Sequence, residues 1–144
     1  MAKGTDSIDI GGVNTAESEK KPVFDPDKFV QAVVSQNADI LTGFFTSDAV
    51  ICWHDSNEQF TAAEYIKANC EYPAEWSGEI QRVNKIDGGF VIVTKICSKT
   101  DTVFVCSFIE LRNGKICRMD EYYSSLEEVP EWRSNLNIGT TIMK

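Results

Sequence analysis

The sequence predicts an α+β domain with helices packed on one face of a curved, mostly antiparallel sheet. Three observations carry this. Apolar residues recur at helical spacing behind capping residues in the first half of the chain, around one short strand. Four consecutive β-rich runs then come with tight-turn residues between them, the pattern of an antiparallel meander. The chain has 144 residues, 42% of them hydrophobic and 25% charged, enough for one core and not for two.

Residues 1–23 are rich in Gly, Ser, Thr and charge and lack a period, so they are expected to form a flexible arm before a domain over 24–133 and a tail over 134–144. Asp25-Pro26 supplies an N-cap acceptor and a proline at the first helical position, and Phe29, Val30, Val33 and Val34 continue a helix to about Gln36. Asn37 caps a second, short helix carrying Ile40, Leu41, Phe44 and Phe45. Thr46-Ser47-Asp48 breaks that pattern, and Ala49 to Trp53 reads as a strand. Thr61 and Glu64 stand at capping-box spacing ahead of a third helix that Pro73 ends. Strands are predicted over 79–86, 90–98, 102–112 and 115–124. Ser125 and Glu128 repeat the capping-box spacing, with Pro130 limiting a last helix to a turn or two.

Composition removes several function classes. Fourteen Lys and Arg against twenty-two Asp and Glu give a net charge of -8, which repels nucleic acid and anionic membrane, and the basic residues form no patch beyond Lys20-Lys21. No apolar run is long enough to span a bilayer or serve as a secretory signal, so a cytoplasmic location is expected. Five cysteines without C-x-x-C spacing read as free thiols packed as small hydrophobes. With His54 the only histidine and no phosphate-cradling glycine loop, neither a metal nor a cofactor is expected.

Asn113-Gly114 is the strongest hairpin signal. A two-residue loop there sets Arg112 opposite Lys115 and, counting outward, Cys106 opposite Glu121. In that register Phe104, Cys106 and Phe108 share a face with Met119, Glu121 and Tyr123, while Val105, Ser107, Ile109 and Leu111 share the other with Ile116, Arg118, Asp120 and Tyr122. Both faces are largely apolar, which predicts helices over the first and a second subunit over the second. A carboxylate among such neighbours is costly to ionise, so Glu121 is the expected site of acid or base chemistry unless a groove or a hydrogen-bonding neighbour satisfies it.

The fragments Phe44-Phe45-Thr46-Ser47-Asp48-Ala49-Val50-Ile51-Cys52-Trp53-His54-Asp55 and Arg112-Asn113-Gly114-Lys115-Ile116-Cys117-Arg118-Met119-Asp120-Glu121-Tyr122-Tyr123-Ser124-Ser125, in this order of elements, resemble the nuclear transport factor 2-like superfamily and its SnoaL-like branch over about residues 24 to 133. The resemblance implies a cone: a strongly bent sheet wrapped around three helices, a pocket inside, and a homodimer through the outer sheet face. It also implies departures from the known enzymes. Trp53 stands where ketosteroid isomerases carry a general-base aspartate, and Ser124 stands where SnoaL-like cyclases often carry an aspartate. Met119, Glu121 and Tyr123 fall on the pocket side of the last strand. Fold alone does not choose among isomerase, dehydratase, cyclase, hydrolase and non-catalytic members.

The candidate catalytic residues are therefore Glu121, His54 and Tyr123. His54 has the one side chain that ordinarily titrates near neutrality and can pair with Asp55 or Glu58, although a lone histidine at a strand end also serves a purely structural role. Trp53, Tyr65 and Trp76 serve equally as a pocket wall or as core, and Asp55, Cys106, Phe108 and Met119 complete the candidate ligand-binding set. Asn69, Glu71 and Tyr72 read as a solvated helix end. From Asn37 to Glu75 seven acidic residues face one Lys67, a local balance of -6 that disfavours an anionic ligand and not a neutral or cationic one. The expected function is cofactor-free binding of a small, uncharged, largely apolar molecule, with proton transfer on it if catalytic. The alternative is a non-catalytic dimeric interaction module.

Overall fold

The computed structural model describes residues 23–142; all but the last residue of the expected N-terminal arm, and the last two of the C-terminal tail, lie outside them. Helix α1 spans Pro26–Val34 and α2 Ala38–Thr42. Strand β1 (Phe45–Trp53), the short β2 (Glu58–Thr61) and helix α3 (Ala62–Glu71) come next. The meander is β3 (Ser77–Ile86), β4 (Gly89–Cys97), β5 (Thr102–Arg112) and β6 (Lys115–Ser125), and a single turn, α4 (Glu131–Ser134), comes last.

The predicted caps form. Asp25 Oδ1 accepts from the amides of Asp27 at 3.0 Å and Lys28 at 3.2 Å, with Pro26 in the first helical turn. Asn37 Oδ1 accepts from Ile40 N at 3.1 Å. Thr61 and Glu64 make both bonds of the capping box. Past α1, Gln36 sits at φ 56° and its Nε2 donates to the carbonyls of Asn69 and Tyr72, while Asn69 Nδ2 donates to Val33 O. These bonds fasten the C-terminal ends of α1 and α3 together.

The six strands form one bent sheet in the order β2-β1-β6-β5-β4-β3, antiparallel throughout except for the parallel pair β1 and β6. Ile51, Ile92, Ile109, Ile116 and Met119 on its inner face are fully buried with Leu41 of α2 and Tyr65 of α3. The packing of α1 on β3 depends on Gly78, where a Cβ would come within 2.6 Å of Val34 Cγ1.

Four details depart from the sequence reading. Thr46-Ser47-Asp48 does not end the local structure: β1 begins at Phe45, which pairs with Ile116, and the register shift before Val50 absorbs the turn-forming residues as an irregularity inside the strand. The polar β2 carries no alternating apolar signal and pairs with β1 across a turn completed by Asn57 at φ 59°. Ser125 starts no helix, because Pro130 biases the residue before it away from helical geometry and itself stands at the start of α4.

The fourth departure decides the site. Arg112 pairs with Lys115 and Leu111 with Ile116, as the Asn113-Gly114 turn requires, but Glu110 then pairs with Arg118. Cys117 is a β-bulge, one residue without an opposite number. Beyond it Glu121 pairs with Ser107, not Cys106, and the side chains of β5 that share the inner face with Glu121 are the set that the simple register placed on the other side. Val105, Ser107 and Ile109 are buried, while Cys106 and Phe108 turn to the outer face opposite Tyr122 and Asp120. Val105 and Ile109, expected on the outer face, are therefore interior and cannot meet a second subunit, and Cys106 and Phe108 leave the pocket side for the outer face with Tyr122.

Candidate functional site

A cavity of about 270 Å³ opens between the ends of α1 and α3 and the inner face of the sheet. Trp53, Tyr72, Trp76 and Tyr123 contribute aromatic rings, Asp55 and Asn69 polar groups, and Val33, Val34, Ala68, Ile96 and Val103 the apolar remainder. Trp53 meets Tyr123 edge to face at 5.7 Å and 78°, and Tyr72 lies 5.1 Å from Trp76. Asn69 and Tyr72 thus belong to the lining, where the sequence reading had only a solvated helix end. The clamp to Gln36, 33 and 36 residues away, brings them there, and no local pattern announces it.

Behind this cavity lies a recess of about 20 Å³ lined by Glu121, Ser107, Thr94, Tyr65 and apolar residues, with Val33, Ile96 and Tyr123 common to both spaces. Glu121 is 4% exposed, which raises the question of what satisfies its carboxyl group. Three donors do. Ser107 Oγ donates to Oε2 at 2.6 Å, and Trp53 Nε1 and Tyr123 Oη each donate to Oε1 at 3.1 Å. Topology makes this possible: Glu121 pairs with Ser107 on one side and Trp53 on the other, and Tyr123 is two residues along the same face. Burial nevertheless holds the Glu121 carboxyl above its usual pKa, against the pull of Ser107, Trp53 and Tyr123 and with help from the charge of Asp55. Burial first, and then the charge of Glu121, push the Tyr123 and Tyr65 phenols well above theirs.

His54, a catalytic candidate with Glu121 and Tyr123, does not join them. The β1 pleat sends Trp53 inward and His54 outward, where its ring stacks on Tyr122 at 4.4 Å and its Nε2 lies 2.8 Å from Asp120 Oδ1. Neither Asp55 nor Glu58 is its partner. Arg118 completes this outer cluster with Nε 2.9 Å from Asp120 Oδ2 and a terminal nitrogen 3.6 Å from Cys52 Sγ. Burial opposes it, but the bonds from Arg118 and His54 hold the Asp120 carboxyl below its usual pKa. Ligand atoms of Cys52, His54 and Asp120 lie within 4.8 Å of one another, the spacing of a metal site, but the Arg118 guanidinium already supplies a cation to both Asp120 and Cys52.

Of the remaining candidates, Tyr65 and Met119 are buried in the core; Tyr65 lines the recess and Met119 neither space. Trp53, Asp55 and Trp76 line the main cavity. Ser107 and Thr94 were not among the candidates. The one signal for Ser107 is a hydroxyl inside an apolar strand, and only the bulge identifies it as facing Glu121.

No protein-family model and no curated protein matches the sequence. Solved structures do match in fold. A putative ketosteroid isomerase from Kribbella flavida superposes with a TM-score of 0.70 at 17% identity, over 83% of this chain and 88% of that one. An NTF-2 like protein of unknown function from Burkholderia xenovorans gives 0.67 at 21% identity, over 82% and 92%. A putative SnoaL-like polyketide cyclase from Shewanella putrefaciens gives 0.58 at 12% identity, over 68% and 85%.

Proposed function

We propose, for a chain with the nuclear transport factor 2-like fold, that the cavity between α1, α3 and the sheet binds a small, largely apolar molecule without negative charge, and that Glu121 moves a proton to or from it through Tyr123. One observation carries this reading: Tyr123 lines the cavity, and its hydroxyl donates to the buried Glu121 carboxylate at 3.1 Å. A ligand proton passing to Tyr123 Oη is balanced by the phenol proton passing to Glu121 Oε1, which leaves Tyr123 neutral and Glu121 protonated. No separate cofactor enters such a step. The carboxylate, with its pKa raised by burial, is suited to accept that proton and return it. His54 has no part in the step, since it faces the other side of the sheet.

The pocket's charge narrows the ligand. Asp55 stands in the lining and no Lys or Arg does, so the expectation of an uncharged molecule is restated as one that is not anionic. The test is a thermal-shift and turnover screen of neutral and cationic small molecules on the wild type, Glu121→Gln and Tyr123→Phe. Wild-type stabilisation with turnover lost in both variants supports the proposal. Equal turnover in all three would remove Glu121 and Tyr123 from it, and the absence of any stabilising molecule would remove the pocket.

A second reading, in which the protein acts as a dimeric interaction module, is favoured by the outer sheet face. There Phe108 and Tyr122, 44% and 47% exposed, meet edge to face at 6.0 Å, an apolar patch on an otherwise acidic protein.

A further inference from the structure

We infer that the ligand carries a positively charged alkylammonium group, held against the aromatic rings of the cavity and neutralised by Asp55. The inference rests on the pocket reading above and names the chemical class that pocket would take. Four of the eleven residues lining the cavity are aromatic, one is a carboxylate and none is Lys or Arg. A neutral apolar ligand has no use for the carboxylate, and an anionic one is repelled by it. An ammonium ion with alkyl substituents uses both parts, because its charge spreads over methyl or methylene groups that pack on ring faces while the carboxylate supplies the counter-charge.

Asp55 is free for this role. It lies in the exposed turn after β1, and no side chain among the described residues bonds or pairs with it. Two of the rings are also electronically prepared. Trp53 Nε1 and Tyr123 Oη both donate to Glu121 Oε1, so the carboxylate polarises each ring toward greater electron density on its faces, and the same bond fixes each ring in orientation. Residues 37 to 75, which supply Trp53, Asp55, Asn69 and Tyr72 of the lining, carry a formal balance of -6, which becomes -5 once the pairing of Asp48 with Arg112 is counted. Lys67, the one basic residue in that segment, is occupied by Glu71 on α3. The volume, about 270 Å³, admits a small alkylammonium head with a short chain.

The experiment compares choline with its uncharged carbon isostere, dimethylbutanol, by calorimetry and tryptophan fluorescence on the full chain. The two probes differ in charge and hardly in shape. Choline is expected to bind about tenfold more tightly, the effect of a cation on an aromatic lining plus a counter-charge. Asp55→Asn and Trp76→Leu should each reduce that preference, and Trp76→Phe, which keeps a ring, should retain most of it. Equal or tighter binding of dimethylbutanol overturns the inference and leaves the pocket proposal standing. A preference that survives both Asp55→Asn and Trp76→Leu overturns it as well, by placing the cation elsewhere. Binding of neither probe also overturns it, and the pocket proposal then falls separately if the neutral panel stabilises nothing.

Discussion

Ser107 and Glu121 face each other across β5 and β6, and the serine hydroxyl donates to the carboxylate at 2.6 Å in a place where both residues are 4% exposed. Removing the hydroxyl leaves a buried carboxylate with one oxygen unbonded. Ser107→Ala should therefore cost about 1–3 kcal/mol in urea unfolding and raise the Glu121 pKa further. Adding Glu121→Gln to Ser107→Ala should cost less than the sum of the two single changes, since the second removes the charge that the first strands. An additive double variant would show that the bond carries no coupling.

The pH dependence of stability should have two opposed components. Glu121 has a folded pKa above its unfolded one, so between the two values the folded state holds more protons. Its contribution is full below the unfolded pKa and declines as pH rises through the folded one. Asp120 has a lowered pKa, so its contribution is present above its unfolded pKa and is lost as pH falls through the folded one. Chemical denaturation from about pH 2 to 8 should show Glu121→Gln gaining on the wild type toward the alkaline end. Asp120→Asn should lose most at neutral pH and converge with the wild type in acid.

If two copies meet through the outer sheet face, Phe108→Asp and Tyr122→Asp should yield folded monomers in sedimentation at concentrations where the wild type is dimeric. Val105→Asp and Ile109→Asp should instead unfold the chain, because those side chains are 4% and 1% exposed on the inner face. Circular dichroism separates the two outcomes.

Gly89→Ala tests the sheet itself. A Cβ at Gly89 would stand 1.7 Å from the carbonyl oxygen of Ile109 on the neighbouring strand, and backbone cannot step aside as a side chain can. The substitution should cost about 3 kcal/mol or more, at the upper end of overpacking effects. Gly88→Ala, one residue away with no atom near its absent Cβ, should cost about 1 kcal/mol, from its φ of 79°.

The sequence was most informative where chemistry is local. Asp25, Asn37 and Thr61 each announce a helix start, and Asn113-Gly114 fixes a hairpin, because the atoms that cap or turn are within a few residues of one another. It was least informative where a single unpaired residue resets the register of the rest of the strand. Nothing about Cys117 as a residue type marks it as a bulge, and from that position outward the pairing count puts Glu121 opposite Cys106 instead of Ser107. Glu121 was still singled out, because a carboxylate amid apolar neighbours stands out in either register. Its actual donors are invisible without the register, and so is the separation of His54 from it by the thickness of the sheet.

Cys117 also gives β6 a spare residue. Deleting it would bring Arg118 directly after Ile116 and still opposite Glu110, so Met119, Glu121 and Tyr123 would keep the interior. Pairing it regularly would do the reverse, turning Arg118, Asp120 and Tyr122 inward and the other three to solvent. The strand thus carries two interleaved sets of side chains, and whether one residue is paired or skipped selects which set the interior receives. In a lineage of such sheets, a codon lost at the bulge would pass almost unnoticed. One gained beside it, if the strand absorbed the extra residue by ordinary pairing, would exchange one interior chemistry for the other in a single step.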